Sequence, residues 1–226
     1  MFEVFWGEET NTLDSEGITT NVSKTIPSLK EINKVLHLFI GQIDQIPPKF
    51  SAKKINGKRC YDLARNNEEF ELKPQKVTIF NLRVISHYEN KTSFLVSCGS
   101  GTYVRSLARD LAYALNTFGY ASKILRSRYS HFSKKNTLTM DFLVKNVEKD
   151  NFYKYLLDIR KVLIHIPSIK LEDERIKLIK NGMKVSMLEE FGEVNIKSLI
   201  AQNQSQVLAF GELKSGFFYP KRILNI

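Results

Sequence analysis

Residues 98–105, which read Cys-Gly-Ser-Gly-Thr-Tyr-Val-Arg, carry the residue types best suited to chemistry in this chain. The glycines allow a tight turn, and a tyrosine and an arginine follow at the predicted start of a helix. Tyr103 offers a flat ring on which an exposed base can stack. Arg105 offers a fixed charge that can hold a carboxylate or a phosphate. The alternatives are a half-buried tyrosine at a helix start and an ordinary surface ion pair.

Residues 45–65 combine a rigid diproline with closely spaced basic side chains. Pro47 and Pro48 predict an extended stretch. The basic residues around Gly57 would track a phosphate backbone; they are Lys53, Lys54, Lys58, Arg59 and Arg65. The same residues would also suit a solvated basic face, and this segment alone does not decide between the two.

A third segment, residues 124–128, places apolar and basic side chains beside the predicted helix. Ile124 and Leu125 are its apolar members, and Arg126 and Arg128 are its cations. We expect the two arginines to contact an RNA backbone together with the basic residues of the second segment.

Strands and helices alternate along the chain, which predicts a mixed α+β fold with a mainly antiparallel sheet and flanking helices. Strands are predicted at residues 2–6, 77–87 and 93–98, with extended chain at 121–132 and a loop at 10–22. Helices are predicted at residues 29–40, 60–65, 103–117 and 171–181, the first with a capping box formed by Ser28 and Glu31. Short strands at 194–201, 207–213 and 217–226 indicate a small β-rich second domain. The domains are therefore residues 1–150 and 151–226, joined by a hinge at 133–151.

The composition favours a soluble protein with a polyanionic partner. Lys and Arg number 34 against 24 Asp and Glu, which gives a formal charge of +10, and nucleic acid is the commonest partner of such a surface. A solvated basic surface is the alternative.

The two cysteines and four histidines are scattered, so neither a disulfide framework nor a metal site is expected. Reduced thiols suit the cytoplasm. Neither a signal peptide nor an apolar run of about 20 residues, the length that spans a membrane, is present.

Taken together, the three segments resemble the tRNA pseudouridine synthase B family, which isomerises the T-loop uridine (uridine-55) of tRNA to pseudouridine. The matching residues are Gln45, Pro47, Pro48, Ser51, Ala52, Lys54, Gly57, Tyr61, Ala64 and Arg65, then Cys98, Gly101, Thr102, Tyr103, Arg105 and Asp110. Gly7, Thr10, Thr12, Asp14 and Gly17 resemble a later loop of the family. The tail resembles the small RNA-binding (PUA-like) domain of the bacterial members.

The resemblance implies a role for each matched site residue. Tyr103 would pack against the flipped uracil, and Arg105 would pair with the catalytic aspartate. Ile124, or its neighbour Leu125, would contact the target nucleotide. The implied partner is the T-arm stem-loop of tRNA, and the implied chemistry uses an aspartate nucleophile with no metal and no cofactor.

The family's nucleophile lies in a Gly-x-Leu-Asp-Pro-type motif upstream of every matched segment, and the 226 residues contain no such motif. Asp14 is rejected as a substitute, because its spacing from Gln45 fits the later loop and because Ser15-Glu16-Gly17 after it is typical of a turn. The expectation is therefore a catalytic domain that is incomplete at its N-terminus and inactive alone. The strand at residues 2–6 would then have an unpaired edge, which favours self-association.

Two functions follow from these observations. One is a uridine isomerase whose RNA contacts, but not turnover, are retained in this chain. The other is a non-catalytic RNA-binding or tRNA-folding protein on the same scaffold, which would bind a T-arm stem-loop tightly and in a salt-dependent manner.

Overall fold

The computed structural model of the chain describes residues 1–146 and 152–224. They form two compact units, Met1–Thr137 (unit 1) and Leu138–Ile226 (unit 2). The predicted domain boundary at residues 150 and 151 lies outside the described residues, as does the end of the predicted hinge. The domain limits therefore stay a prediction.

Unit 1 is built on a five-stranded antiparallel sheet in the order β4-β7-β8-β1-β9. Three short hairpins, β2–β3, β5–β6 and β10–β11, extend from it. The strands are β1 (Phe2–Trp6), β2 (Glu8–Thr10), β3 (Thr19–Val22), β4 (Gly41–Gln45), β5 (Lys54–Ile55), β6 (Lys58–Arg59), β7 (Gln75–Tyr88), β8 (Lys91–Cys98), β9 (Gly119–Ile124), β10 (Arg128–Tyr129) and β11 (Phe132–Ser133).

The helices of unit 1 are α1 (Leu29–Val35), α2 (Cys60–Arg65) and α3 (Val104–Ala114), with 3-10 turns at Leu36–Phe39 and Lys134–Asn136. The predicted capping box starts α1, since Ser28 and Glu31 bond each other's backbone and side chains. Side chains from α1, its 3-10 extension and α3 pack with alternate residues of the sheet in one core. That core contains Trp6, whose indole N–H donates to the Thr92 hydroxyl at 2.7 Å.

Two predictions about the N-terminal residues are wrong. β1 is hydrogen-bonded on both sides, to β8 and to β9, so it has no unpaired edge. The edges of this sheet are β4 and β9. Residues 10–22 are not a plain loop, because β3 within this range pairs antiparallel with β2 at its start and forms a hairpin. Loop composition alone hides such a pairing when both strands are short and polar.

Unit 2 is β-rich and has its own core. Its sheet has the order β12-β14-β15-β16-β13, with the strands β12 (Ser168–Lys170), β13 (Val185–Ser186), β14 (Ile196–Gln202), β15 (Val207–Lys214) and β16 (Phe217–Ile223). The helices are α4 (Met140–Asn146), α5 (Ile159–Val162), α6 (Asp173–Lys180) and α7 (Leu188–Phe191), and Phe152–Tyr155 is a 3-10 turn. The predicted class, mainly antiparallel sheet with helices and a β-rich C-terminal part, is confirmed. The last two residues of the strand predicted at 217–226 lie outside the described residues.

Candidate active site

A cleft of about 680 Å³ opens in unit 1 and contains several of the residues singled out in the sequence. Tyr103 and Arg105 lie in its wall together with two cations of the basic segment, Arg59 and Arg65. Its full lining is Thr12, Asp14, Glu16, Phe50, Ser51, Ala52, Arg59, Tyr61, Arg65, Tyr103 and Arg105. The cleft therefore combines aromatic faces, fixed cations and carboxylates.

Tyr103 is placed by the turn between β8 and α3. Gly101 in this turn has φ +83°, a conformation that favours glycine, and the Thr102 hydroxyl closes the turn on the Gly99 carbonyl at 3.0 Å. Tyr103 is the N-cap residue of α3. Its backbone N–H donates to the side-chain oxygen of Gln45 at 2.8 Å, so a buried glutamine at the end of β4 fixes the start of the helix.

Arg105 ties three separate segments together. Its Nη1 donates to the Thr12 carbonyl at 3.0 Å and to Oδ2 of Asp14 at 2.7 Å. Its Nη2 donates to the Phe50 carbonyl at 2.8 Å. The two charged side chains are only 25% and 23% exposed, so the guanidinium is held in one place and is partly shielded from water.

The Asp14 carboxylate accepts three hydrogen bonds in the described part of the chain. One carboxylate oxygen receives the Thr12 hydroxyl at 2.6 Å and the Glu16 backbone N–H at 3.2 Å, and the other receives Arg105. The first two bonds are those of the turn that the sequence predicts. Sequence reasoning missed the ion pair, because no local pattern links an aspartate to an arginine 91 positions away.

The diproline segment is hydrogen-bonded to α3, and two of its buried polar atoms have no partner among the described residues. The Ser106 hydroxyl donates to the Ile46 carbonyl at 2.8 Å, and Arg109 donates to the same carbonyl at 3.0 Å. At the two ends of the segment, Nε2 of Gln45 and Oγ of Ser51 are buried without a hydrogen-bond partner in the described residues.

The predicted backbone-binding cations of the second segment lie in three places. Arg59 and Arg65 line the cleft, and the Arg65 guanidinium lies 4.6 Å from the centre of the Tyr61 ring. Lys54 and Lys58 lie around a smaller pocket of about 290 Å³, where Lys58 pairs with Glu68 at 3.3 Å. The remaining one, Lys53, reaches the Gln75 side chain at 3.4 Å.

The third segment does not reach the cleft lining. Ile124 and Leu125 are about half exposed at the end of β9, with 52% and 47% of their surfaces accessible. Leu125 exchanges two backbone hydrogen bonds of 2.9 Å with Met1. Neither they nor Arg126 and Arg128 line the cleft. Their contact with substrate stays a prediction.

A second, larger groove of about 1000 Å³ shares Phe50 with the cleft in its lining. Glu9 is buried there and accepts a 2.6 Å hydrogen bond from the Tyr113 hydroxyl. Burial and the bond to Glu9 together raise the pKa of Tyr113 to about 12. Burial likewise raises the pKa of Asp110, against the opposing effect of Arg109 beside it.

Within residues 1–146 and 152–224, no three His, Cys, Asp or Glu side chains are grouped to hold a metal ion. Across the same residues, no helix has both the length and the apolar character to cross a membrane.

Comparisons with known proteins agree on the family. Residues 1–104 match the model of the TruB family pseudouridylate synthase N-terminal domain. Two relatives named tRNA pseudouridine synthase B, from Caulobacter vibrioides and Ehrlichia ruminantium, are 34% and 36% identical over the whole chain. The chain spans 75% and 78% of their lengths.

Two solved structures share the fold at low identity. A Cbf5-Nop10-Gar1 complex matches 95% of the chain with a TM-score of 0.61 and 17% identity. An H/ACA RNP bound to a substrate RNA containing 2'-deoxyuridine matches 98% with a TM-score of 0.64 and 14% identity. The chain spans 60% and 64% of the matched chains. With a third or more of its residues identical to those two relatives along its whole length, the chain belongs to the TruB family of pseudouridylate synthases.

Proposed function

We propose that unit 1 is the RNA-holding part of a tRNA pseudouridine synthase, which converts the T-loop uridine of tRNA to pseudouridine. The observation that carries the proposal is a stacking surface and a fixed guanidinium, Tyr103 and Arg105, side by side in a cleft lined by further cations. Relatives of this sequence carry the name of that activity. The reaction exchanges a C–N glycosidic bond for a C–C bond within one nucleotide, so it consumes no oxidant or reductant.

Tyr103 packs against the base once the uridine has left its stack. A flipped base needs a flat apolar surface to replace its lost neighbours. Tyr103 is suited to this because Gln45 fixes its backbone and the Gly101 turn sets its direction. The cleft has room for a nucleotide, and Arg59 and Arg65 in its wall supply the charge that attracts the phosphates.

Arg105 holds the nucleophilic carboxylate. A guanidinium carries five N–H donors, and three of those of Arg105 are engaged by Thr12, Asp14 and Phe50 in the described part of the chain. The other two suffice for a second carboxylate in the cleft. Because the first three bonds fix the side chain, the second carboxylate is received at a defined position.

Asp14 orients Arg105 and is not itself the nucleophile. Its carboxylate accepts the Thr12 hydroxyl, the Glu16 N–H and the Arg105 guanidinium, and the residues that follow, Ser15-Glu16-Gly17, are typical of a turn. We therefore propose that these 226 residues do not contain the nucleophile and that the chain alone binds RNA without turnover. A non-catalytic RNA-binding protein is the second candidate, favoured by the same turn contacts of Asp14.

The test is pseudouridine formation in a T-arm stem-loop by the 226-residue protein, read by mass spectrometry after chemical tagging. Asp14→Ala is assayed in parallel, and RNA binding is measured for both proteins. Selective, salt-dependent binding with no product supports the proposal. Any product from the unmodified chain would overturn the proposal that it lacks a nucleophile, and loss of that product in Asp14→Ala would show that turnover depends on Asp14. Equal affinity for the stem-loop and for any duplex would overturn the proposed substrate.

A further inference from the structure

We infer that the β10–β11 hairpin is a second RNA contact, in which Tyr129 stacks on an unpaired base outside the cleft. The inference rests on the proposed function of unit 1 and adds a stacking role for Tyr129 to a segment whose arginines, Arg126 and Arg128, are expected to contact an RNA backbone. It identifies the ligand by chemistry: a single-stranded stretch of RNA, such as a loop, that presents both a free base and phosphates.

The aromatic ring of Tyr129 is exposed to solvent, so Tyr129 is not a core residue. Its side chain is 68% accessible although it belongs to a paired strand, opposite Phe132. The Arg126 guanidinium lies 5.8 Å from the centre of the ring. A cation within about 6 Å of a tyrosine ring is attracted to the face of the ring. The ring is thus available to a base and has a cation beside it.

The surrounding charge specifies a polyanion. Residues 123–137 contain five Lys and Arg and not one Asp or Glu. Of the five, Lys123 pairs with Glu3 at 3.8 Å. Stacking aromatics between backbone-tracking cations are the standard means by which proteins hold single-stranded nucleic acid. A purely duplex-binding surface would need the cations but not the exposed ring.

The hairpin is anchored to the main sheet at its base. β9 leads directly into it, and Leu125 is bonded to Met1. Lys134 donates its backbone N–H to the Ser127 carbonyl at 3.1 Å, which closes the base of the hairpin. At the tip, Ser130 adopts φ +54°, which makes the tight reversal. A base stacked on Tyr129 would therefore be held at a fixed position on unit 1.

The experiment measures binding of a T-arm stem-loop, an unrelated unpaired RNA and a blunt duplex to the full chain over a range of salt concentrations. The variants are Tyr129→Ala, Tyr129→Phe and Arg128→Gln. Tyr88→Ala is the matched control, because Tyr88 is 72% exposed on the β7–β8 hairpin. A 2-aminopurine placed at each loop position in turn reports stacking through loss of its fluorescence.

Tyr129→Ala is expected to weaken binding of both unpaired RNAs by about 10-fold, the effect of losing one stacked base, without changing the salt dependence. Tyr129→Phe should retain affinity, and Tyr88→Ala should behave as the unmodified chain. Arg128→Gln should reduce the slope of log affinity against log salt by about 1. One 2-aminopurine position should be quenched by the unmodified chain and not by Tyr129→Ala.

Two results would overturn the inference. They are an unchanged affinity in Tyr129→Ala and an equal loss of affinity for the blunt duplex. The same experiment tests the proposed function independently of the hairpin contact. If the stem-loop is bound no better than other unpaired RNA, but Tyr129→Ala still weakens both, the tRNA substrate is refuted and the hairpin contact stands.

Discussion

The ion pair between Asp14 and Arg105 should stabilise unit 1 measurably, and a double-mutant cycle tests it. The variants are Asp14→Ala, Arg105→Ala and the double variant. The pair is about three-quarters buried at 2.7 Å. It therefore lies between exposed pairs, which contribute up to about 1 kcal/mol, and fully buried pairs, whose disruption costs about 3–5 kcal/mol. A charge-assisted hydrogen bond contributes about 1.5–3 kcal/mol, so we expect a coupling free energy of about 2 kcal/mol.

The single variants should also differ from each other. Arg105→Ala removes two further hydrogen bonds, to the carbonyls of Thr12 and Phe50, each contributing about 1 kcal/mol. Asp14→Ala removes the bonds to the Thr12 hydroxyl and the Glu16 N–H, which lie in a more exposed turn. We therefore expect Arg105→Ala to lower the free energy of unfolding more than Asp14→Ala does.

The assay is urea unfolding followed by tryptophan fluorescence. Trp6 is the single tryptophan of the chain and is buried in the core of unit 1, so its signal reports this unit. The matched control is the pair of Asp44 and Lys76, also in unit 1, at 3.3 Å but with side chains more than 60% exposed. Its coupling should stay below about 0.5 kcal/mol and vanish in 1 M salt.

A coupling for Asp14 and Arg105 as small as that of the control, or one that salt abolishes, would refute the reasoning. The arginine would then not be held by Asp14, and the case for Asp14 as a positioning residue would fail.

Three further outcomes follow from single contacts. Folding raises the pKa of Tyr113 from 10.0 to about 12, so the contribution of Tyr113 to the unfolding free energy is complete below pH 10 and disappears toward pH 12. That contribution is on the order of 1 kcal/mol after allowance for the half-exposed ring. Tyr113→Phe should therefore remove this loss of stability, as urea unfolding at pH 9 and pH 12 would show. Ser51→Ala should raise the unfolding free energy by about 1 kcal/mol, because it deletes a buried hydroxyl with no partner in the described residues; a loss of stability would contradict this. Thr92→Val should lower it by about 1–3 kcal/mol, since the Thr92 hydroxyl accepts from the buried indole N–H of Trp6 and is also bonded to the His87 ring at 2.8 Å. A neutral result in fluorescence-monitored unfolding would show that these two bonds add nothing.

Local patterns predicted the elements of this fold well. The capping box of Ser28 and Glu31 set the start of α1 within one residue. The helix predicted at residues 60–65 matches α2, because apolar spacing and helix-ending residues act over short distances. The two long strands predicted at 77–87 and 93–98 match β7 and β8, because the apolar pattern of a strand is also a short-range signal.

Pairings distant in the sequence were not predictable in the same way. β1 lies between β8 and β9, and nothing within residues 2–6 distinguishes a strand paired on both sides from one with a free edge. The bond from Gln45 to Tyr103 spans 58 positions, and that from Arg105 to Asp14 spans 91. A turn aspartate and a cleft aspartate look alike in sequence, so Asp14 was predicted only as the former.

The distribution of charge in unit 1 predicts that RNA contacts concentrate on two elements. Residues 49–59 contain five Lys and Arg with no Asp or Glu, as do residues 123–137. These two stretches hold ten of the 34 basic residues, which equals the whole formal excess of +10. The rest of the chain has 24 basic and 24 acidic residues and is balanced. Because attraction to phosphates follows local excess charge, both the diproline segment with its hairpin and the Tyr129 hairpin should draw RNA to unit 1. Removing cations outside these stretches and outside the cleft, whose wall also contains Arg65, should change the salt dependence little.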